Sequence, residues 1–213
     1  MRLYGHTFAT GYDPVMRGLE HHRLAPRRAE LLAGCSGHVV DIGAGTGANL
    51  THLPPAVTRV TAVEPDPAMA RRLRRRLAAE ATHHRALGRD IEVVDAVAEA
   101  LPLADASADA VLVTLVLCSV RDPALAVAEA RRVLRADGVL VVIEHVGADT
   151  RCQRRVQGWL TPAWRRVARG CHLDRDTRTV LETGGFDLGE VEAWRLSRRG
   201  PTVPAIAGHA RPR

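Results

Sequence analysis

A glycine-rich turn after an apolar strand constrains this chain more than any other stretch of its sequence. Residues 39–50 read VVDIGAGTGANL, in which Gly43, Gly45 and Gly47 allow positive φ and place no Cβ between a ligand and the backbone. A turn of this kind lies where a parallel strand passes into a helix, which is the crevice in which open α/β sheets bind ligands. The sequence therefore predicts a strand, a ligand-binding turn and a helix, in that order.

Two carboxylates narrow the range of ligands that could bind at this turn. Glu64 ends the next apolar run, VTAVE at residues 60–64, where a carboxylate can accept both hydroxyls of a ribose. The turn also fits the loose dinucleotide fingerprint, which seats a pyrophosphate on a helix N-terminus. Asp41, two residues before the first glycine, would repel phosphates and attract a cation such as the α-ammonium of S-adenosylmethionine. A purely structural turn would leave Asp41 and the three glycines without a role.

The pattern Asp41-x-Gly43-x-Gly45-x-Gly47 resembles motif I of the class I S-adenosylmethionine-dependent methyltransferases, of the type 11 family. The resemblance implies a Rossmann-like α/β fold. We expect a doubly wound, mostly parallel sheet of seven strands, with helices on both faces and an antiparallel strand at the C-terminal edge. It also implies that the segment before the motif folds over the cofactor. Tyr12 is the candidate for that contact, and packing of Tyr12 against the sheet is the alternative.

Length and composition favour a single domain with one substantial core, since the chain has 213 residues, 46% of them hydrophobic. The net charge is +6, but every one of the basic residues is arginine, which indicates a codon bias rather than a nucleic-acid interface.

No apolar run approaches the roughly 20 residues that span a bilayer. The N-terminus lacks the apolar core of a signal peptide. The four cysteines show no paired spacing, so neither a zinc site nor a disulfide framework is expected. A reduced, cytoplasmic setting follows.

Buried strands are predicted where short apolar runs occur, and helices where apolar residues recur at helical spacing. The strand runs are 38–42, 59–63, 91–94, 109–114 and 139–144, and the helices are 66–80 and 122–135. We expect Gly138 to end the second helix in the left-handed conformation. In residues 151–170 we expect two short helices around Pro162. Residues 1–34 are predicted to form a helical cap, 35–147 the cofactor-binding core, and 148–213 lid helices with a closing hairpin at 187–196 and 203–210.

A narrower resemblance covers most of the chain from residue 39 onward. The stretches TLVLCSV at 114–120, EHV at 144–146, PAW at 162–164 and GCHL at 170–173 resemble the mammalian microsomal alkyl-thiol S-methyltransferases. Those enzymes carry a membrane anchor with no counterpart here, so a soluble relative is expected. The resemblance implies a small-molecule acceptor, with a thiol favoured over a hydroxyl or an amine. The fold does not fix the acceptor, because substrate choice rests on pocket shape.

Site residues follow from these patterns and resemblances. His145 is the candidate general base, since it lies at the carboxyl edge with a pKa near neutrality; a hydrogen-bonded histidine in the cap is the alternative. Val97 replaces the acidic residue that the family uses to bind adenine, which leaves the backbone at Ala98, Glu99 or Asp95 as substitutes. The predicted cofactor contacts are Tyr12, Asp41, Gly43, Ala44, Gly45, Gly47, Asn49, Glu64, Pro65, Ala98, Glu99 and Leu115, and the predicted substrate contacts are Cys118, Trp164 and Cys171.

Two other functions remain open from the sequence. A nicotinamide-dependent oxidoreductase could use the same turn, and a non-catalytic module could keep the cofactor pocket without turnover. Cys118 could equally be a small apolar residue of the pocket wall, and Trp159 and Trp164 could pack a helix.

Overall fold

The structure, a computed structural model, describes residues 17–148, 150–168, 170–196 and 203–213. Tyr12 lies outside the described residues. Seven strands form one sheet in the order β3-β2-β1-β4-β5-β7-β6. Their bounds are β1 Gly37–Ile42, β2 Val57–Val63, β3 Asp90–Val94, β4 Ala108–Thr114, β5 Leu134–His145, β6 Phe186–Arg195 and β7 Pro204–Pro212. The five predicted core strands and the closing hairpin are confirmed.

The first five strands are parallel, and β7 is antiparallel to both of its neighbours. β1 lies between β2 and β4, so the winding of the chain reverses at β1. In open α/β sheets a ligand binds outside the carboxyl ends of the strands at such a reversal. The predicted mostly parallel seven-stranded sheet, with an antiparallel strand near its C-terminal edge, is therefore confirmed.

Two apolar clusters cover the two faces of the sheet. One contains Leu24, Leu31 and Leu73 from helices on the first face, and the other contains Val127 and Leu181 from helices on the opposite face. A strand that is covered on both faces must be apolar on both, which explains why the core strands appear in sequence as continuous hydrophobic runs.

The helices are α1 Ala25–Leu32, α2 Pro67–Ala79, α3 Ala81–Ala86, α4 Pro123–Val133, α5 Arg151–Val167 and α6 Thr177–Thr183, with a π-helical turn Glu20–Leu24 before α1. Asp66 and Asp122 accept backbone N–H groups at the starts of α2 and α4, and a proline at the first helical position follows each. Met69 and Leu73 of α2 are buried, whereas Arg71, Arg74 and Arg75 are exposed. These three arginines thus lie on the solvated face of α2.

Residues 151–167 form one helix of 17 residues, so the prediction of two short helices was wrong. Proline removes one backbone donor from a helix interior, and at Pro162 the helix continues on both sides of that gap. The Thr161 hydroxyl donates to Gln157 O at 2.8 Å one turn earlier, which adds a bond next to the missing one.

Gly138 does not end a helix in the left-handed conformation, contrary to the sequence expectation. α4 ends at Val133, and Leu134 is already extended and pairs with Ala108 of β4. Glycine is needed at 138 because a Cβ there would lie 2.7 Å from Leu134 Cδ1 and 3.0 Å from the Asp109 carbonyl oxygen.

The helix predicted after the glycine turn is also much shorter than expected. Only a 3₁₀ turn, Leu50–His52, follows the glycines. The adjacent Pro54 and Pro55 explain this, since the residue before a proline is driven out of the helical region. None of the helices in the described ranges is both long enough and apolar enough to cross a membrane.

Candidate functional site

The predicted site residues gather at the carboxyl ends of four neighbouring parallel strands. Asp41 lies next to the end of β1, Glu64 directly follows β2, Thr114 ends β4 and His145 ends β5. β1 pairs with both β2 and β4, and β4 pairs with β5, so these ends form a continuous edge. Residues far apart in sequence therefore share one crevice.

Asp41 is a fully buried acid with one unsatisfied oxygen. Its Oδ1 accepts a hydrogen bond from Asn49 Nδ2 at 2.8 Å, and its Oδ2 has no partner among the described residues. Burial raises the pKa of Asp41 to about 7, although the bond from Asn49 and the charge of Arg28 act in the opposite direction. A buried carboxylate without a full set of donors is costly, and a cationic ligand would remove that cost.

The buried Arg28 helps to hold Asp41 in place through Asn49. Arg28 of α1 donates to Asn49 Oδ1 and, at 2.9 Å, to Thr114 Oγ1, and it pairs with Glu20 at 3.0 Å. Asn49 Nδ2 also reaches Thr114 Oγ1 at 3.1 Å. The side chain of Asn49 is thus occupied by Asp41, Arg28 and Thr114.

The glycine turn has the predicted left-handed backbone, with φ values of 65° at Gly43, 59° at Gly45 and 88° at Gly47. A Cβ at Gly43 would lie 2.7 Å from Val116 Cγ2, so this glycine allows a close approach between the turn and the residues after β4. Among the residues that the structure describes, no atom would lie closer than 3.9 Å to a Cβ at Gly45. The backbone at Gly45 is therefore open to a ligand.

Glu64 joins the turn to the start of α2. Its Oε2 accepts the Gly45 N–H at 2.8 Å and its Oε1 accepts the Asp66 N–H at 2.8 Å. The residue is 7% exposed, whereas the neighbouring Pro65 is exposed. Arg76 of α2 holds the turn from another direction, since its Nη1 donates to Gly47 O at 3.0 Å.

In the segment predicted to bind adenine, Ala98 is buried and both nearby carboxylates, Glu99 and Asp95, have protein partners. Ala98 is buried, and Glu99 Oε1 accepts the N–H groups of Arg121 at 2.8 Å and Asp122 at 3.0 Å. Asp95 pairs with Arg74 at 2.9 Å. The carboxylates that could replace the missing acid at position 97 thus already have protein partners.

Leu115 has φ 59°, which is unusual for a residue other than glycine. Its N–H donates to Ile143 O at 2.8 Å, and the next two N–H groups, of Val116 and Leu117, donate to Glu144 Oε1 at 2.6 and 2.9 Å. Burial raises the pKa of Glu144 to about 7, while these backbone bonds lower it. Glu144 therefore holds the bend after β4 in place. The strained backbone of this bend, at Leu115, lies next to the crevice.

The predicted acceptor side brings together two cysteines and a histidine. Cys118, His145 and Cys171 are 2%, 6% and 9% exposed, and His145 Nε2 lies 2.9 Å from Cys171 Sγ. The His172 N–H donates to Cys118 O at 2.8 Å, which ties the segment after α5 to the segment after β4. Trp164 of α5 is 44% exposed and Trp159 is 81% exposed. Cys118 and Cys171 are thus adjacent in space, which their sequence spacing did not indicate.

Hydrogen bonding shifts the pKa values in this cluster. The bond with Cys118 lowers the pKa of Cys171 well below its usual range, with His145 acting in the same direction, and it raises the pKa of Cys118. Burial lowers the pKa of His145, but Cys171 and Glu144 outweigh it, so the net direction is upward. These shifts act in the direction of a thiolate at Cys171 and an imidazolium at His145.

A cavity of about 550 Å³ opens beside the glycine turn. Its lining includes Arg28, Thr46, Ala48 and Arg76, together with other basic side chains, but not Asp41, Glu64 or Ala98. The cavity borders the glycine turn next to α1 and α2, and it shares Arg28 and Arg76 with the contacts that hold the turn.

Comparison with known proteins identifies the family. Residues 40–142 match the family described as "Methyltransferase domain". Thiol S-methyltransferase TMT1B of Homo sapiens is 38% identical over 183 residues, which cover 84% of this chain and 73% of that protein. Thiol S-methyltransferase TMT1A of Homo sapiens is 34% identical over 207 residues, covering 89% and 80%. The chain belongs to the class I S-adenosylmethionine-dependent methyltransferases.

The fold of this methyltransferase agrees with that assignment. A SAM-dependent methyltransferase of Thermotoga maritima, titled a possible histamine N-methyltransferase, superposes with a TM-score of 0.65 at 21% identity and covers 98% of this chain and 99% of that chain. At this identity the likeness concerns the fold alone. S-adenosylmethionine is the cofactor and the protein is a methyltransferase, so the comparisons do not support the oxidoreductase or the non-catalytic module that the sequence left open.

Three residues that shape the site of this methyltransferase were missed by sequence reasoning. Arg28 shares a helix face with the apolar residues Leu24 and Leu31, which could have indicated a buried arginine. This signal is weak in a chain in which every basic residue is arginine. Arg76 lies in the arginine-rich stretch of residues 71–76, in which Arg71, Arg74 and Arg75 are exposed, so nothing in the sequence distinguished it from its neighbours. Glu144 is the acid in an otherwise apolar run, VVIE, and its position inside a buried strand was a usable signal.

Proposed function

We propose that this methyltransferase transfers a methyl group to the sulfur of a small-molecule thiol. The observation that carries the proposal is the extent of the similarity to the thiol S-methyltransferases. It covers 84% of the chain in one case and 89% in another, well beyond residues 40–142. His145, Trp164 and Cys171, which lie on the acceptor side, are all outside that range. The resemblance therefore extends past the shared cofactor domain.

We propose that Asp41, the glycine turn and Glu64 hold the cofactor. The unpartnered Oδ2 of Asp41 suits an ammonium group, and the open backbone at Gly45 suits a ligand in close contact. The carboxylate of Glu64 lies directly beside that backbone and suits the ribose hydroxyls. S-adenosylmethionine supplies an electrophilic methyl group on a positively charged sulfur.

The remaining cofactor residues receive more limited roles in this proposal. Asn49 holds Asp41 rather than touching the ligand, because its amide is already engaged. Ala44, Gly43 and Gly47 shape the turn, and Leu115 faces it from the end of β4. Pro65 and Ala98 offer apolar contact and backbone groups to the nucleoside. Glu99 supports the segment before α4 and is a weaker candidate for adenine.

The acceptor must lose a proton to become a good nucleophile. A free thiol is only a few per cent ionised at pH 7, but its thiolate is strongly nucleophilic, so a modest stabilisation of the anion is enough. Cys118, Cys171 and Trp164 are the proposed acceptor contacts. The general-base role of His145 stays a prediction, because its Nε2 atom already contacts Cys171. The four cysteines are free, so we also propose a reducing compartment such as the cytoplasm.

Matched acceptors test the proposal. Purified protein is given labelled S-adenosylmethionine and one of three acceptors with the same carbon chain: 1-propanethiol, 1-propanol or 1-propylamine. We expect methyl transfer to the thiol at a rate at least tenfold above the other two, measured by mass spectrometry of the product. Preferred transfer to the alcohol or the amine would assign the protein to O- or N-methylation instead.

A further inference from the structure

The cluster of Cys118, His145 and Cys171 has the composition of a metal site. Their ligand atoms (two thiol sulfurs and one imidazole nitrogen) all lie within 4.8 Å of one another, and all three residues are buried. Two cysteines and one histidine are a known ligand set for catalytic zinc, in which the fourth position stays open for water or substrate. We propose that these three residues bind a single zinc ion, and that the acceptor thiol occupies its fourth position.

The geometry needs only a small adjustment. Zinc bonds of about 2.3 Å to sulfur and about 2.0 Å to nitrogen place tetrahedral ligand atoms roughly 3.5–4 Å apart. His145 Nε2 and Cys171 Sγ are 2.9 Å apart, so these two atoms must move slightly apart to bind one zinc ion. All three pairs of ligand atoms lie within 4.8 Å, so no pair has to approach by more than about 1 Å.

The backbone of the cluster is already fixed. The bond from the His172 N–H to Cys118 O links the two cysteine segments. Arg175 donates to the carbonyl oxygens of Leu117 and, at 2.9 Å, Val120 on either side of Cys118. Sites of this kind depend on a rigid frame, because the ligand atoms must be held in place before the metal arrives.

Charge balance also favours a divalent cation. Once a metal has displaced the protons of the cluster, the two thiolates and the neutral imidazole carry two negative charges, which would be costly in a dry interior without a cation. A zinc ion neutralises them. The thiolate is the form in which a cysteine binds a metal. The Nδ1 atom of His145, buried and without a partner in the described part of the chain, is left free of the ligand role.

The fourth position connects the site to the proposed function, on which this second half of the inference rests. A thiol that binds there gives its proton to water and remains bound through a sulfur lone pair, as a thiolate. A second lone pair of that sulfur would then attack the methyl carbon, which would break the bond between this carbon and the sulfonium sulfur and release S-adenosylhomocysteine and a neutral thioether. His145 then acts as a ligand, which accounts for a histidine whose ring nitrogen faces a cysteine.

Cobalt binding tests the metal site without reference to activity. The protein is freed of metal with a chelator, kept reduced, and titrated with Co²⁺. We expect saturation at one equivalent, with the intense visible bands of tetrahedral cobalt and a thiolate-to-cobalt charge-transfer band. Competition with Zn²⁺ should remove both signals. Absence of tetrahedral bands in the reduced protein would overturn the proposal.

Variants separate the three ligands from the other cysteines. Cys118→Ser, His145→Gln and Cys171→Ser should each weaken cobalt binding by more than the roughly 10- to 100-fold that loss of a supporting residue costs. Cys152→Ser is the matched control, because Cys152 is free and exposed, and it should bind like the native chain. Retained binding of S-adenosylhomocysteine shows that a variant is folded. Equal cobalt affinity in all four variants would place the metal elsewhere and contradict the site.

The role of the acceptor is tested in the same spectra. Addition of 1-propanethiol should shift the visible cobalt bands, whereas 1-propanol should leave them unchanged. Bands unchanged by the thiol would refute the fourth-position role. Thiol methylation at full rate in metal-free protein would also refute this role while leaving the proposed function intact. Metal binding without any thiol methylation would instead count against the proposed function alone.

Discussion

Replacement of Asp41 by asparagine should weaken the binding of S-adenosylhomocysteine by about 10- to 100-fold, because it removes a charge-assisted hydrogen bond worth roughly 1.5–3 kcal/mol. S-adenosylhomocysteine keeps the α-ammonium that we propose Asp41 Oδ2 accepts. Asparagine has the same shape and can still accept the bond from Asn49, so the fold should be retained. Titration calorimetry measures the change directly.

The pH dependence of the same variant gives an independent test. The pKa of Asp41 is about 7 in the ligand-free protein, so the ionised form that binds a cation increases as pH rises toward 7. Native affinity should rise by roughly tenfold between pH 5.5 and 7, below the range in which an α-amino group titrates. The asparagine variant should show a much flatter profile. An equal rise in both proteins would assign the pH dependence to another group.

Stability should change in the opposite direction. Since the folded pKa lies above the unfolded value of about 3.8, the protonated carboxyl is the form that the fold favours, and stability is lost as pH rises toward 7. Asp41→Asn should therefore raise the Tm of the ligand-free protein more at pH 8 than at pH 4. A lower Tm at pH 8 would show that Asp41 serves the fold rather than the ligand.

Alanine at Gly43 should destabilise the protein by roughly 2–4 kcal/mol, which for a domain of this size lowers Tm by about 5–15 °C. The left-handed φ of 65° disfavours a side chain, and the new Cβ would lie 2.7 Å from Val116 Cγ2. The same Gly43→Ala change should cost less stability when it is made in the Val116→Ala background, because the overlap is then absent and only the backbone strain remains. Thermal unfolding measures both.

Gly45→Ala is the matched control, because Gly45 has a similar φ of 59° and its Cβ would lie at least 3.9 Å from every atom of the described ranges. It should have a higher Tm than Gly43→Ala but bind S-adenosylhomocysteine more weakly than the native chain, since the methyl group occupies the space above the turn. Val116→Ala should not rescue it. Native affinity in Gly45→Ala would show that the cofactor does not approach this backbone.

The sheet was predictable because its strands are covered on both faces. Runs such as 109–114 and 139–144 must be apolar throughout, so they are visible without an alignment. The ends of helices were less predictable. Gly138 has the sequence context of a helix stop, but its role depends on the contact with Leu134 and Asp109, which only the packed structure shows. Pro162 likewise suggested a break that the helix tolerates.

The candidate site divides in the same way. Asp41, the glycines and Glu64 lie in two short stretches of sequence, so their grouping follows from the strand–turn pattern alone. Arg28, Glu144 and the cysteine–histidine cluster depend on contacts between segments far apart in the chain. Sequence spacing argued against a metal site, because Cys118 and Cys171 become neighbours only when the segment after α5 packs on the segment after β4.

A crystal structure with S-adenosylhomocysteine tests the central claim most directly. The expected result is an ammonium group within hydrogen-bond distance of Asp41 Oδ2, ribose hydroxyls on Glu64 and the methionine chain against the backbone at Gly45. A nucleoside bound away from both acids, for instance in the basic cavity beside the turn, would contradict the proposed cofactor site.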